Sequence, residues 1–198
     1  MSELQIFNFI DFLTRYGIVY EDTQLSKLDL PIISQFGPWI AGGAIRRTII
    51  KEKLNSDIDI FFRNIEQYEE FKLALDARDY IKKKENQFNI TYIKNDIEVQ
   101  LININFYQSP LEIINSFDFT ICQFVFDGTY LYCGKTALWD LARKRLVVNK
   151  ITYAIASMRR IIKYTKQGFY ACNGTMNAIL ESVIKNPEII NMEVSSID

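Results

Sequence analysis

Residues 38–62 constrain this chain more than any other stretch. Pro38-Trp39-Ile40-Ala41 is a short apolar run that stops at Gly42-Gly43. Such a run reads as a strand entering a tight turn, where glycine opens backbone conformations and close approaches that other residues forbid. Ala44 to Lys53 then carries Ile45, Ile49 and Ile50 at helical spacing. The glycine pair therefore sits between a strand end and a helix start, where backbone N–H groups lack partners and form a natural cradle for phosphate. Ser56-Asp57-Ile58-Asp59-Ile60-Phe61-Phe62 follows. Strand alternation puts Asp57 and Asp59 on one face and Ile58 and Ile60 on the other. Two neighbouring carboxylates repel, a poor arrangement for stability alone. A hard divalent cation between them makes the pair sensible, and Mg²⁺ usually keeps part of its shell for substrate phosphates. Two such ions can activate an attacking hydroxyl and steady a pyrophosphate leaving group.

Composition narrows the chemistry. The 198 residues suit one large domain or two small ones, and 48% hydrophobic with 14% aromatic content is ample for a packed core. There is no histidine, which removes the usual general base and excludes a His-containing zinc site or a Ser-His-Asp triad. Cys122, Cys133 and Cys172 have no metal-ligand spacing, and so odd and sparse a set fits reduced thiols in a cytosol-like compartment. The N-terminus lacks the basic start and cleavage site of a signal peptide. No uncharged apolar run approaches the ~20 residues of a membrane span. A cytoplasmic setting is expected, and the wealth of isoleucine and lysine points to an AT-rich genome, viral or phage. Net charge is −1, so the chain as a whole is no general polyanion binder. Yet Lys135 to Tyr170 holds nine basic residues and one acid, Asp140, for a local charge of +8 that leaves −9 elsewhere. That asymmetry points to a localised anionic partner.

Along the chain, Leu4, Phe7, Ile10 and Leu13 predict a helix over 2–16, and a second helix broken at Pro31 is expected within 24–36. A helix over 64–78 comes next, then strands near 79–84, 87–94 and 97–105 with a turn at Asn95-Asp96. In the last of these Asp96, Glu98 and Gln100 share a face. Ser109-Pro110 opens a short helix. Asp127-Gly128 between apolar runs is a hairpin signal. Residues 134–146 read as helical, with Asp140 pairing with Arg143 or Lys144 in the next turn. A long helix over 152–168 carries Arg159, Arg160, Lys163 and Lys166 off its apolar stripe and ends at Gly168. A final helix spans 174–185, and Asn186-Pro187 begins a short tail.

The double glycine and Asp57-Ile58-Asp59, in this order and spacing, resemble the signature of the nucleotidyltransferase superfamily typified by DNA polymerase β. Ile40-Ala41-Gly42-Gly43-Ala44-Ile45-Arg46 is most similar to the head domain of the tRNA nucleotidyltransferase and bacterial poly(A) polymerase family, which reads Val-Gly-Gly-x-Val-Arg-Asp. Arg46 matches the family arginine, and Arg47 stands in place of its aspartate. Ile97-Glu98-Val99 fits the family's third carboxylate, placed on a later strand between apolar residues. Asp118-Phe119-Thr120 is similar to part of Arg-Arg-Asp-Phe-Thr-x-Asn-Ala, a motif that helps hold the nucleotide sugar and phosphates. Ser116 and Phe117 replace its arginines and Cys122 its asparagine. Gly134 with Asp140-Leu141 resembles the link between head and neck. Ala156-Ser157-Met158-Arg159-Arg160 supplies the arginines of the base-selecting neck helix without its acid.

The resemblance implies an α/β (α+β) fold: a head with a small mixed sheet and flanking helices at 1–133, then a helical neck-like segment at 134–198. It implies metal-dependent transfer of a nucleoside monophosphate from a nucleoside triphosphate to an acceptor hydroxyl, with an RNA 3′ end as the expected acceptor, gripped along 135–170. Asp57 and Asp59 would bind Mg²⁺ or Mn²⁺, with Glu98 as third ligand or base. Gly42, Gly43, Arg46, Ser56 and Asp118 would hold the nucleotide. Arg159, Arg160 and Lys163 would neutralise developing charge or bind the acceptor. Family enzymes continue into body and tail domains, so a minimal or rearranged enzyme is implied. Rivals are nucleotide transfer to a protein or small molecule, and a non-catalytic protein that retains the fold.

Overall fold

A computed structural model describes residues 4–54 and 57–185. The chain opens with strand β1 (Gln5–Asn8) and helix α1 (Phe9–Arg15), where the Asn8 side chain caps the helix by accepting from the Asp11 N–H. The single helix expected over 2–16 is therefore half strand. Residues 5–8 pair antiparallel with residues 130–133. Ladder hydrogen bonds to an open sheet edge outweigh the marginal stability of one more short helical turn. No helix forms over 24–36 either. The described chain there is loop, preceded by one 3-10 turn at Tyr20–Asp22, and Pro31 has no N–H for a helix.

Strand β2 (Trp39–Ala41), helix α2 (Gly43–Ile49), strand β3 (Ile58–Phe61) and helix α3 (Ile65–Asp76) follow. Then come β4 (Ile81–Glu85), β5 (Asn89–Lys94), β6 (Ile97–Ile102), α4 (Pro110–Ser116), β7 (Phe124–Phe126) and β8 (Tyr130–Cys133). The described chain finishes with α5 (Ala137–Ala142), β9 (Arg145–Leu146), α6 (Ala154–Lys166), β10 (Tyr170–Ala171) and α7 (Asn173–Lys185). Eight strands form one mixed sheet in the order β1-β8-β7-β2-β3-β6-β5-β4, with β3 and β6 its parallel pair. The α/β expectation holds, with a larger sheet than the small one foreseen.

Alternation along the central strands divides core from cleft. Ile58 and Ile60 of β3, Val99 and Leu101 of β6, and Ile90 and Tyr92 of β5 are buried with Tyr68, Phe71 and Leu75 of α3. Each such side chain contributes roughly 1.5–3 kcal/mol. A one-residue slip of β3 would turn Asp57 and Asp59 into that core, so burial of the isoleucines fixes which face carries the acids. The β5–β6 turn is tight: Asn95 and Asp96 both take positive φ, 51° and 61°.

Asp140 corrects the sequence reading. It is fully buried, accepts from the Thr120 and Thr136 hydroxyls at 2.9 Å, and pairs with Arg145 at 2.9 Å rather than with Arg143 or Lys144. Helix α5 stops at Ala142, and Lys144 at φ 52° reverses the chain so that Arg145 returns over the helix. Arg143 instead stacks 3.8 Å from the Trp139 ring. Helix α6 packs on the segment before β7, with the Tyr164 ring edge-on to Phe119 at 6.0 Å. No described helix is long and apolar enough to cross a membrane.

Candidate active site

Asp59 of β3 and Asp57 just before the strand sit on the floor of a cleft of about 410 Å³. Gly42 makes the turn from β2 into α2 at φ 77°, and its N–H donates to the Phe124 carbonyl at 2.8 Å. A Cβ there would meet only ordinary contacts, 3.5 Å from the Phe117 ring and 3.9 Å from Asp59 Oδ2, so the positive φ is what calls for glycine. Gly42 and Gly43 both line the cleft.

Asp59 pairs across the sheet with Ala41 on one side and Gln100 on the other. Burial, then the charge of Asp57, push its carboxyl up to about 7, while Lys163, Arg160 and Arg47 pull it back. Asp57 accepts from Gln100 Nε2 at 3.2 Å. Among the described residues no third acidic or cysteine side chain joins the pair. Glu98 does not line the cleft; it is ion-paired with the exposed Lys83 of β4. Strand β6 thus brings a carboxamide to the acids in place of the expected carboxylate. Glu98 and Gln100 share a face, but the parallel register sets Gln100 opposite Asp59.

A basic wall rises on the α2 and α6 side, where Arg46, Arg47, Arg160 and Lys163 all line the cleft. Arg46 is 1% exposed, and its guanidinium lies 4.8 Å from the Tyr164 ring and 5.3 Å from that of Phe169. Its Nη2 donates to Gln167 Oε1 at 2.9 Å, while Nε and Nη1 have no hydrogen-bond partner among the described residues. Asp118 is buried and accepts from Arg160 Nη1 at 2.8 Å and Ser157 Oγ at 3.1 Å, which ties α6 to the segment after α4. Burial raises the Cys122 thiol, and its sulfur lies 3.0 Å from the Tyr164 hydroxyl. That excludes a ready thiolate nucleophile. Arg159 is not brought to the acids; with Ile162, Lys166, Gln167 and Lys163, which also borders the cleft, it lines a more open groove on the outer face of α6. Ser56 lies outside the described residues.

Sequence reasoning missed Gln100, Arg47, Ser157 and Tyr164, and the far end of the cleft where Phe88, Asn89, Asn105 and Tyr107 gather. The strand alternation already placed Gln100 on the acid-bearing face. The others reach the site through tertiary contacts that no local pattern announces.

A family model for Gabija anti-defense 2 family protein matches residues 5–144. A curated relative, "Gabija anti-defense 2" of Bacillus phage SPbetaL7, is 27% identical over 169 residues, which is 80% of this chain and 37% of that protein. Among solved structures, a CCA-adding enzyme in apo form I has a TM-score of 0.63 at 15% identity, covering 94% of this chain and 48% of that one. The Thermotoga maritima CCA-adding enzyme complexed with tRNA-CCA scores 0.62 at 16% identity, over 91% and 46%. A complex of CCA-adding enzyme with ATP scores 0.60 at 16% identity, over 94% and 48%. These likenesses show the fold, and the chain spans under half the length of each of these proteins.

Proposed function

Since the chain belongs to the Gabija anti-defense 2 family, we propose that it acts against that defence as a metal-dependent nucleotidyltransferase, moving a nucleoside monophosphate from a nucleoside triphosphate to an acceptor hydroxyl. The observation that carries this reading is the Asp57/Asp59 pair on the cleft floor, with Asp59 pushed up to about 7. The donor set fits a hard divalent cation: hard oxygen ligands, mutual repulsion that a cation relieves, and coordination positions left for water and phosphate oxygens. Asp57 and Asp59 would hold Mg²⁺ or Mn²⁺, which when bound supplies charge stabilisation at the transferring phosphoryl group and eases ionisation of the acceptor hydroxyl.

The chain's own groups supply the rest. Arg46, Arg160 and Lys163 offset the negative charge of the triphosphate and of the transition state. Gly42 and Gly43 let phosphate approach the backbone. The acceptor oxygen forms the new bond to the α-phosphorus as the bond from that phosphorus to the α–β bridging oxygen breaks. Pyrophosphate leaves with that electron pair, and the hydroxyl proton passes to water.

The acceptor in this reading is an RNA 3′ end. The +8 segment at 135–170 supports it, because Lys150, Arg160 and Lys163 reach the cleft while Arg159 and Lys166 line the groove beside it. A fold neighbour complexed with tRNA-CCA supports it too. Family membership favours a second reading, transfer onto a protein of the opposed defence. The test is incubation with each α-labelled ribonucleoside triphosphate, Mg²⁺ or Mn²⁺ and total RNA, beside Asp57→Ala/Asp59→Ala. Label in RNA that requires both aspartates is the expected result. Label in a protein band selects the second reading. Absence of label together with absence of triphosphate binding overturns both.

A further inference from the structure

We propose that the β5–β6 end of the cleft is the acceptor subsite and that it takes a single nucleobase, the base of the nucleoside whose ribose hydroxyl is modified. This rests on the nucleotidyl-transfer reading and adds a site to it. The strand register lays the cleft out in order. Asp57 just before β3 and Asp59 and Phe61 along it form one row, Gln100 and Ile102 lie along β6 beside them, and Asn89 sits on β5 opposite Ile102. The acid pair therefore separates two ends of opposite character. One is the basic wall of Arg46, Arg47, Arg160 and Lys163; the other is lined by Phe88, Asn89, Ile102, Ile104, Asn105 and Tyr107, all uncharged.

A triphosphate seeks the basic wall. In-line displacement then places the attacking oxygen on the side of the α-phosphorus away from the departing pyrophosphate. That side is the uncharged end. Its chemistry matches a base. Phe88 and Tyr107 offer ring faces for stacking, and Tyr107 is held edge-on against Phe61 at 5.8 Å. Asn105 presents a donor and an acceptor, and Asn89, whose Oδ1 accepts from Asn86 Nδ2 at 3.3 Å, adds a donor; these are the groups that read a base edge. A tyrosine or serine acceptor would leave those carboxamides without use. These lining residues carry no charge, and Lys150, the remaining basic residue of the cleft, is anchored by its backbone N–H to the Asp118 carbonyl beside Arg160, so the subsite reads one nucleoside rather than a phosphate backbone. The step forms the bond from the ribose oxygen to the α-phosphorus and breaks that phosphorus's bond to the bridging oxygen; pyrophosphate takes the electron pair and water the proton.

A terminal nucleoside of RNA and a free nucleotide share this chemistry, so the test uses both. Adenosine and cytidine 5′-monophosphate and a short oligoribonucleotide are titrated without metal against the full chain, Phe88→Ala and Asn105→Ala, with binding followed by NMR. Label transfer from α-labelled triphosphate to the same acceptors is measured in parallel. Loss of one base stack weakens acceptor binding by about tenfold or more. The expected result is that loss in both assays for Phe88→Ala, with Mg²⁺-dependent triphosphate affinity within about twofold of wild type. Asn105 is exposed, so its variant keeps the fold and isolates the edge contact. Preference for the oligonucleotide identifies a strand end as the source, and equal use of monophosphate a free nucleotide; either supports a base subsite. Transfer that proceeds with an unchanged acceptor KM in both variants, or label on a protein side chain, overturns it. Failure of the wild-type chain to bind triphosphate at all overturns the nucleotidyl-transfer reading itself.

Discussion

Asp59 holds its proton up to about pH 7 because β3 buries it beside Asp57. In the unfolded chain it ionises near 3.9. Between roughly pH 4 and 7 the folded state therefore binds more protons than the unfolded one, and stability falls as pH rises through that window. Discounted for solvent screening at a group that lines an open cleft, the loss is roughly 1–2 kcal/mol, or about 2–8 °C for a chain of this size. The metal-free wild type is expected to melt that much lower at pH 8 than at pH 5, with Asp59→Asn nearly flat. Millimolar Mg²⁺ at pH 8 restores the wild type and not the variant, by mass action on the folded state. Parallel pH curves for the two proteins would remove Asp59 from this role. Arg160 makes a second case. Asp118 is buried and ion-paired, so Arg160→Ala leaves its carboxylate only the Ser157 hydroxyl among the described residues. The expected cost is about 1–3 kcal/mol in urea unfolding, and less for Asp118→Asn, whose amide oxygen still accepts.

The β5–β6 hairpin shows how an element serves the site. Its turn sets the register that puts Gln100 beside Asp59 and Asn89 opposite Ile102. Asp96 holds φ 61° there at some steric cost, which glycine avoids. Asp96→Gly is expected to raise stability by about 0.5 kcal/mol, read as a higher urea midpoint at unchanged slope. The same hairpin was legible in the sequence, because Asn95-Asp96 between alternating runs is a local signal. So were the strand–glycine–helix unit at 39–49, the acid-bearing strand and α3, each set by periodicity within a few residues. Strand β1 was not, since its partner lies at residues 130–133 and local spacing favours a helix. Glu98 was chosen over Gln100 because alternation gives the face and not the row, which only the β3–β6 pairing fixes. The aromatic seat of Arg46 comes from Tyr164 and Phe169, far along the chain, and no motif at 42–47 announces it.

Over the whole molecule a net charge of −1 conceals a basic lobe against an acidic remainder. The lobe faces two ways. Arg160 turns into the cleft, Arg159 and Lys166 line the outer groove of α6, Lys163 borders both, and Trp139 stands 56% exposed under Arg143. An exposed indole backed by a guanidinium, in a basic field, is suited to stack single-stranded bases. This division makes the RNA reading separable from the chemistry. RNA held by the outer face releases counterions, so its affinity falls linearly with salt on logarithmic axes, by about 0.7 in slope for each phosphate contacted. Arg159→Ala/Lys166→Ala is expected to lower that slope by about 1.4, two contacts' worth. Arg47→Ala, which borders only the cleft, should weaken Mg²⁺-dependent triphosphate binding instead, and Lys163→Ala, at the border of both, should move both readouts. Trp139→Ala should reduce RNA affinity about tenfold while leaving the salt slope in place, because stacking releases no ions. Salt-insensitive RNA binding, or slopes unmoved by the double variant, would leave the basic lobe without an RNA and make a protein of the opposed defence the better acceptor.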